Sequence, residues 1–137
     1  LSTERSTLRL PPDRLQKRIG HWRGITESAC EQCGRNTLPE VSPPTELRSW
    51  LEACGGALKL VLDPGASGRA QPADPDAAPA DVSLLIGPEG GFSGEELALC
   101  ERAGFRTLRL GPRILRTETA PVAALSVLQA RWGDLRL

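Results

Sequence analysis

Apolar positions recur at helical spacing along residues 12–33: Leu15, Ile19, Trp22, Thr26, Ala29 and Cys33 fall on one stripe. Gly34 stands where a left-handed cap would end that stripe, so the pattern predicts a helix over 12–33. Gly20 and Gly24 lower its propensity without breaking the stripe. Pro43-Pro44 and Gly55-Gly56 bracket a shorter helix over 44–54, with Leu47, Trp50, Leu51 and Cys54 on one face. The run Leu58 to Leu62, interrupted by Lys59, reads as a strand. Val82 to Ile86 is a compact apolar run, suited to a central strand buried on both faces. Ser93 and Glu96 then form a capping box. Phe92 is placed to staple onto Leu97, Leu97 and Cys100 face inward, and Gly104 supplies the stop. Thr107 to Leu110 is a short strand. The last helix runs from Thr119 to about Trp132, with Pro121 in its first turn and a stripe of Pro121, Leu125, Leu128 and Trp132.

Strands alternate with helices, which predicts an α/β domain with a parallel sheet flanked by helices. The length, 137 residues, suits one domain with one core. Residues 64–81 hold four Pro and six Ala and read as a mobile surface loop. They are not a linker, because neither flank could fold alone.

Composition narrows the classes. Apolar residues at 39% and charged residues at 25% argue against disorder. Only two Phe and three Trp, with no Tyr, argue against a base-stacking platform. No apolar run has membrane-spanning length and no secretory leader is visible, so the expected location is the cytoplasm. There is no Met, and Leu1 is not a natural start, which predicts a processed or partial chain. Cys30, Cys33, Cys54 and Cys100 are expected to be reduced thiols. The Cys30–Cys33 spacing lacks companion ligands, so no metal is expected; it reads as a helix with two small buried thiols. The zero net charge is unevenly spread. Residues 1–24 carry six basic side chains against two acidic, and residues 102–137 carry seven against two. Two converging basic ends could meet a phosphate backbone, while solvated faces explain them equally well.

Two segments follow predicted strands, where open α/β sheets bind ligands. Gly87-Pro88-Glu89-Gly90-Gly91 follows Ile86. Its glycines let backbone approach a ligand closely, and Pro88 stiffens the turn. It lacks the residues of a P-loop and the spacing of a dinucleotide fingerprint; a tight strand-to-helix turn is the plainer reading. The second segment runs from Leu110 through Gly111, Pro112, Arg113, Ile114, Leu115, Arg116, Thr117, Glu118 and Thr119 to Ala120. A capping Thr117 or Thr119 would account for the hydroxyls. It would not account for two aliphatics between two arginines.

Together these segments resemble the RsmE family, the 16S rRNA (uracil-N3)-methyltransferases of the SPOUT superfamily. Thr3-Glu4-Arg5-Ser6, Glu31 to Arg35 and Arg131 to Leu135 agree, so the resemblance spans essentially the whole chain. It implies a SPOUT-type sheet with a C-terminal trefoil knot, S-adenosyl-L-methionine as cofactor, 16S rRNA of the small ribosomal subunit as substrate, and a homodimer. It further implies that the donor is held around Leu62, Gly87, Pro88, Glu89, Gly90, Gly91, Leu110, Gly111, Ile114, Leu115, Thr119 and Ala120, with Ile114 and Leu115 walling the adenine. On that basis Arg116 is expected to stabilise the uracil anion. Glu118 is expected either to act as base or to hold Arg116 or cap the last helix. Arg5, Arg9 and Arg113 are the expected RNA contacts. Family members are longer, so 1–137 is read as a methyltransferase domain lacking its first βα unit and an N-terminal PUA-like RNA-binding domain. Ribose 2′-O methylation and a non-catalytic RNA-binding module are the alternatives.

Overall fold

A computed structural model describes residues 1–6, 11–66 and 78–136. Its elements are α1 (Pro12–Cys33), α2 (Leu47–Ala53), β1 (Leu58–Leu62), β2 (Val82–Leu85), α3 (Gly94–Arg102), β3 (Arg106–Leu108) and α4 (Thr119–Trp132). The α/β class with a parallel, helix-flanked sheet is as expected. The bounds of α1, β1 and α4 also match, and Gly34 caps α1 in the left-handed region at φ 74°. Most of the predicted loop, residues 67–77, lies outside the described residues.

The strands are parallel in the order β2-β1-β3. This corrects one expectation: among the described residues β1, not β2, is the central strand. Val82, Ser83 and Leu84 of β2 stay half-exposed, because an edge strand has a neighbour on one side only. Strand β1 is covered on both faces. Val61 joins Leu47, Leu51, Leu85, Phe92, Cys100 and Phe105 in the core, while Leu58 and Leu60 are buried on the opposite face. Burial first, then the nearby Glu96 carboxylate, push the Cys100 thiol up to about 11. It therefore stays protonated at neutral pH and is inert as a nucleophile.

Other local readings shift for identifiable reasons. Helix α2 starts at Leu47 rather than at residue 44 because the opening segment pairs with the chain before it. Ser2 donates to the Thr45 carbonyl at 2.8 Å, and Leu47 N–H donates to that of Ser2 at 3.2 Å. This holds Glu46 extended. Strand β3 starts at Arg106 and ends at Leu108, two residues before its expected end. Only Ile19 and Cys30 of α1 are buried; Ala29 and Cys33 of the expected stripe are exposed, so the CxxC is not a pair of buried thiols. On α4 the buried contact is Ala124, and Leu125 of the expected stripe is 51% exposed. A small residue lets the helix backbone approach its neighbours closely. No helix among the described residues is long and apolar enough to cross a membrane.

Candidate functional site

All three strands run the same way, so their carboxyl ends share one edge of the sheet. A cleft of about 320 Å³ opens there. Its floor follows β1, through Leu62, Asp63, Pro64 and Gly65. One wall is the whole stretch from Ile86 to Phe92. The other is Ile114, Leu115, Thr117 and Ala120, leading into α4. A smaller recess of about 40 Å³ shares Leu62, Asp63, Pro64, Leu115 and Ala120 and reaches Leu110 and Arg113. A larger cavity of about 800 Å³ lies between α1 and α2, against Leu15, Trp22 and Trp50. Among the described residues its lining carries no charged side chain, and it lies away from the strand ends.

Local forces hold each wall. The residues after Ile86 form a turn closed by Gly91 N–H donating to the Pro88 carbonyl at 2.8 Å. Gly91 takes φ 67°, a left-handed conformation that a β-branched residue would strain. At Gly87 a Cβ would sit 3.2 Å from the Phe92 ring, so the turn lies flat on a buried aromatic. The exit from the turn is fixed by the capping box: Ser93 Oγ accepts from Glu96 N–H at 3.2 Å, and Glu96 Oε2 accepts from Ser93 N–H at 2.8 Å. Across the cleft, Thr119 and Ala120 N–H both donate to the Arg116 carbonyl at 2.9 Å, the first turn of α4. Neither threonine nor Glu118 caps that helix through its side chain. On the floor, Asp63 N–H donates to the Leu108 carbonyl at 3.1 Å, tying the ends of β1 and β3.

The residues expected at the site separate into groups. Leu62, Gly87, Pro88, Glu89, Gly90, Gly91, Ile114, Leu115 and Ala120 line the cleft, and Leu110 with Arg113 lines the recess. Gly111 and Thr119 line neither. Arg116 and Glu118 stand outside the cleft wall, with Nη1 and Oε1 3.9 Å apart and side chains 87% and 70% exposed. Such a long, exposed pair leaves both heads free to meet a substrate. Arg5 also lines the cleft, but its guanidinium is engaged: Nη1 donates to the Gly90 carbonyl at 2.6 Å. Arg9 lies outside the described residues. Sequence reasoning missed Asp63, Pro64, Gly65 and Phe92. Asp63 had one available signal, its place directly after a strand, where its carboxylate accepts from Gly65 N–H at 2.9 Å. No group of His, Cys, Asp and Glu suited to a metal occurs among the described residues.

The chain can be set beside known proteins. The family model described as "RNA methyltransferase domain" matches residues 1–129. Ribosomal RNA small subunit methyltransferase E of Buchnera aphidicola is 43% identical over 116 residues, which cover 84% of this chain and 46% of that protein. A putative methyltransferase from Legionella pneumophila, solved with bound S-adenosylmethionine, superposes with a TM-score of 0.89 at 46% identity. That match covers 97% of this chain and 54% of the solved one. Ribosomal RNA small subunit methyltransferase E from Neisseria gonorrhoeae, bound to S-adenosyl methionine, gives 0.86 at 36% identity, over 98% and 54%. The chain spans about half the length of the curated relatives it matches.

Proposed function

The chain belongs to the RNA methyltransferase domain family, and on that premise we propose that its cleft binds S-adenosylmethionine and that, within a longer protein, it methylates N3 of a uracil in 16S rRNA in the cytoplasm. One observation carries this reading. The cleft at the strand ends combines a glycine-rich backbone wall with an aliphatic one, and the two solved relatives above were each bound to this donor.

The residues present fit such a ligand. A volume of about 320 Å³ falls at the lower end of small-molecule sites. Leu62, Ile86, Ile114 and Leu115 supply apolar surface for an adenine, and Ile114, 80% exposed, presents its side chain at the cleft. Backbone polar groups of the turn from Gly87 to Gly91 can pair with the rest of the donor. When bound, the donor supplies a methyl group on a sulfonium, open to in-line displacement. The chain's own task is to orient the acceptor and manage its N3 proton. Arg116, beside the cleft residues Leu115 and Thr117, donates to uracil O2 or O4 as negative charge develops. Glu118 either takes the N3 proton or orients Arg116. Arg113, exposed at the recess, meets RNA phosphate.

Isothermal titration of the full-length protein with S-adenosylmethionine, followed by mass spectrometry of 16S rRNA methylated in small subunits, tests this reading. Saturable binding and a methyl on a uracil base are expected. A flat titration of folded protein would remove the donor role, and a methyl on ribose would redirect it to the 2′-hydroxyl.

The finer architecture belongs to the same proposal. The segment after β3 completes a trefoil knot around the donor cleft, and a donor-bound crystal structure whose chain pulls straight from both ends would overturn this. A second copy of the protein covers α4, where Val122 is 65% and Leu125 51% exposed one turn apart. In sedimentation the full-length protein runs as a dimer, and Leu125→Asp shifts it to monomer. A wild-type monomer at micromolar concentration would sink the assignment.

A further inference from the structure

The opening segment does more than precede α1. It runs from the chain before α2 to the glycine-rich wall of the cleft, held by hydrogen bonds at Ser2, Glu4 and Arg5. Ser2 pairs with Thr45 and Leu47, as described. Two residues on, Glu4 N–H donates to Glu96 Oε1 at 2.8 Å. Glu96 is 4% exposed, and its other oxygen already accepts from Ser93 N–H. One buried carboxylate therefore holds the backbone at Glu4 and at Ser93, far apart in sequence, at a fixed separation. The next residue, Arg5, reaches back over the turn. Its Nη1 donates to the Gly90 carbonyl at 2.6 Å and lies 3.4 Å from that of Phe92. The aliphatic stem fills the space in front of Gly90, where an added Cβ would meet Arg5 Cδ at 3.3 Å and Cβ at 3.4 Å.

We propose that Arg5 is a positioning residue for the donor wall. It stands at the cleft beside the turn from Pro88 to Gly91 and clamps that turn through the Gly90 carbonyl, while Glu96 sets the distance from which it reaches. This rests on the cleft being the donor site. It gives Arg5 a task different from the RNA contact the resemblance suggested. A charged donor on a backbone carbonyl is among the stronger hydrogen bonds. It acts on a turn that is also held by its internal hydrogen bond from Gly91 N–H to the Pro88 carbonyl and by the Phe92 ring beneath Gly87. Without the clamp the wall samples other shapes, and the donor must select the competent one.

The test compares Arg5→Leu and Arg5→Lys with wild type in the full-length protein. Arg5→Leu is expected to weaken S-adenosylmethionine binding about tenfold. It raises the donor KM while kcat at saturating donor and RNA affinity stay within about twofold. Arg5→Lys, which keeps a donor, recovers part of the loss. Amide hydrogen exchange at residues 90–92 quickens in Arg5→Leu with no donor present. Unchanged donor affinity in Arg5→Leu would overturn the proposal. So would RNA affinity that falls with its salt slope reduced by about one while donor affinity holds, the signature of a phosphate contact. Should wild type bind no donor, the cleft assignment itself fails, and exchange still decides the clamp: unaltered protection at residues 90–92 sinks it.

Discussion

Replacing Arg116 by alanine in the full-length protein is expected to slow single-turnover methyl transfer by about 10²–10³-fold, the usual cost of losing a donor aimed at developing negative charge. Donor affinity should change little. The cleft wall is formed by the neighbours Leu115 and Thr117, whereas the Arg116 side chain is 87% exposed and outside it. Its backbone carbonyl accepts two hydrogen bonds at the start of α4, and alanine keeps that carbonyl. The substitution therefore removes a guanidinium without removing a structural support. Losing the 3.9 Å pair with Glu118 costs little, since exposed pairs contribute less than about 1 kcal/mol. Glu118→Gln separates the two readings of that carboxylate. If it is the base, the variant flattens the rise of rate with pH; if it only orients Arg116, the rate falls slightly with the profile unchanged. An Arg116→Ala rate equal to wild type would remove Arg116 from the chemistry.

What the sequence disclosed follows the range of the forces involved. The Ser93–Glu96 box closes within three residues, and Gly34 ends α1 through its own φ, so both were legible. The glycine-rich turn and the aliphatic pair Ile114-Leu115 also announced themselves, because each is costly in a loop without a reason. The second task of Glu96, holding Glu4 across 92 residues, left no local mark. Neither did the grip of Arg5 on Gly90, nor the pairing of Ser2 with residues 45–47 that trims α2. Strand β2 reads as apolar whether it lies centrally or at an edge, because a run of four or five residues carries no record of its neighbours. On α4, periodicity marks large apolar residues, yet the fully buried position is Ala124, which hydrophobic patterning weights least. The fold class and both cleft walls were thus readable, while the contacts that brace the walls were not.

The largest expected loss of stability falls on Phe105, and it should leave the cleft intact. Phe105 is 3% exposed, and its ring lies 5.8 Å from Trp50, tilted by 46°. Lys59 Nζ lies 5.9 Å from the ring centroid and donates to the carbonyls of Cys54 and Ala103, so the ring packs beneath a fixed cation. Phe105 N–H also donates to the Cys100 carbonyl at 2.9 Å, joining α3 to β3. Phe105→Ala empties a site bounded by α2, β1 and α3, and such truncations cost about 3–5 kcal/mol. Against a typical total of about 5–15 kcal/mol, that is a large fraction. Denaturant titration followed by tryptophan fluorescence should show a lower midpoint at an unchanged slope. Position distinguishes this loss from a functional one. Phe105 precedes β3 at its amino end, whereas the cleft opens at the carboxyl ends of the strands. Donor affinity measured on the folded fraction should stay within about twofold, because Phe105 itself lines neither the cleft nor the recess. A stability loss below about 1 kcal/mol would mean the core closes over the missing ring. A collapse of donor affinity at full folding would mean that core and cleft are coupled through β3, which joins β1 by the bond from Asp63 N–H to the Leu108 carbonyl.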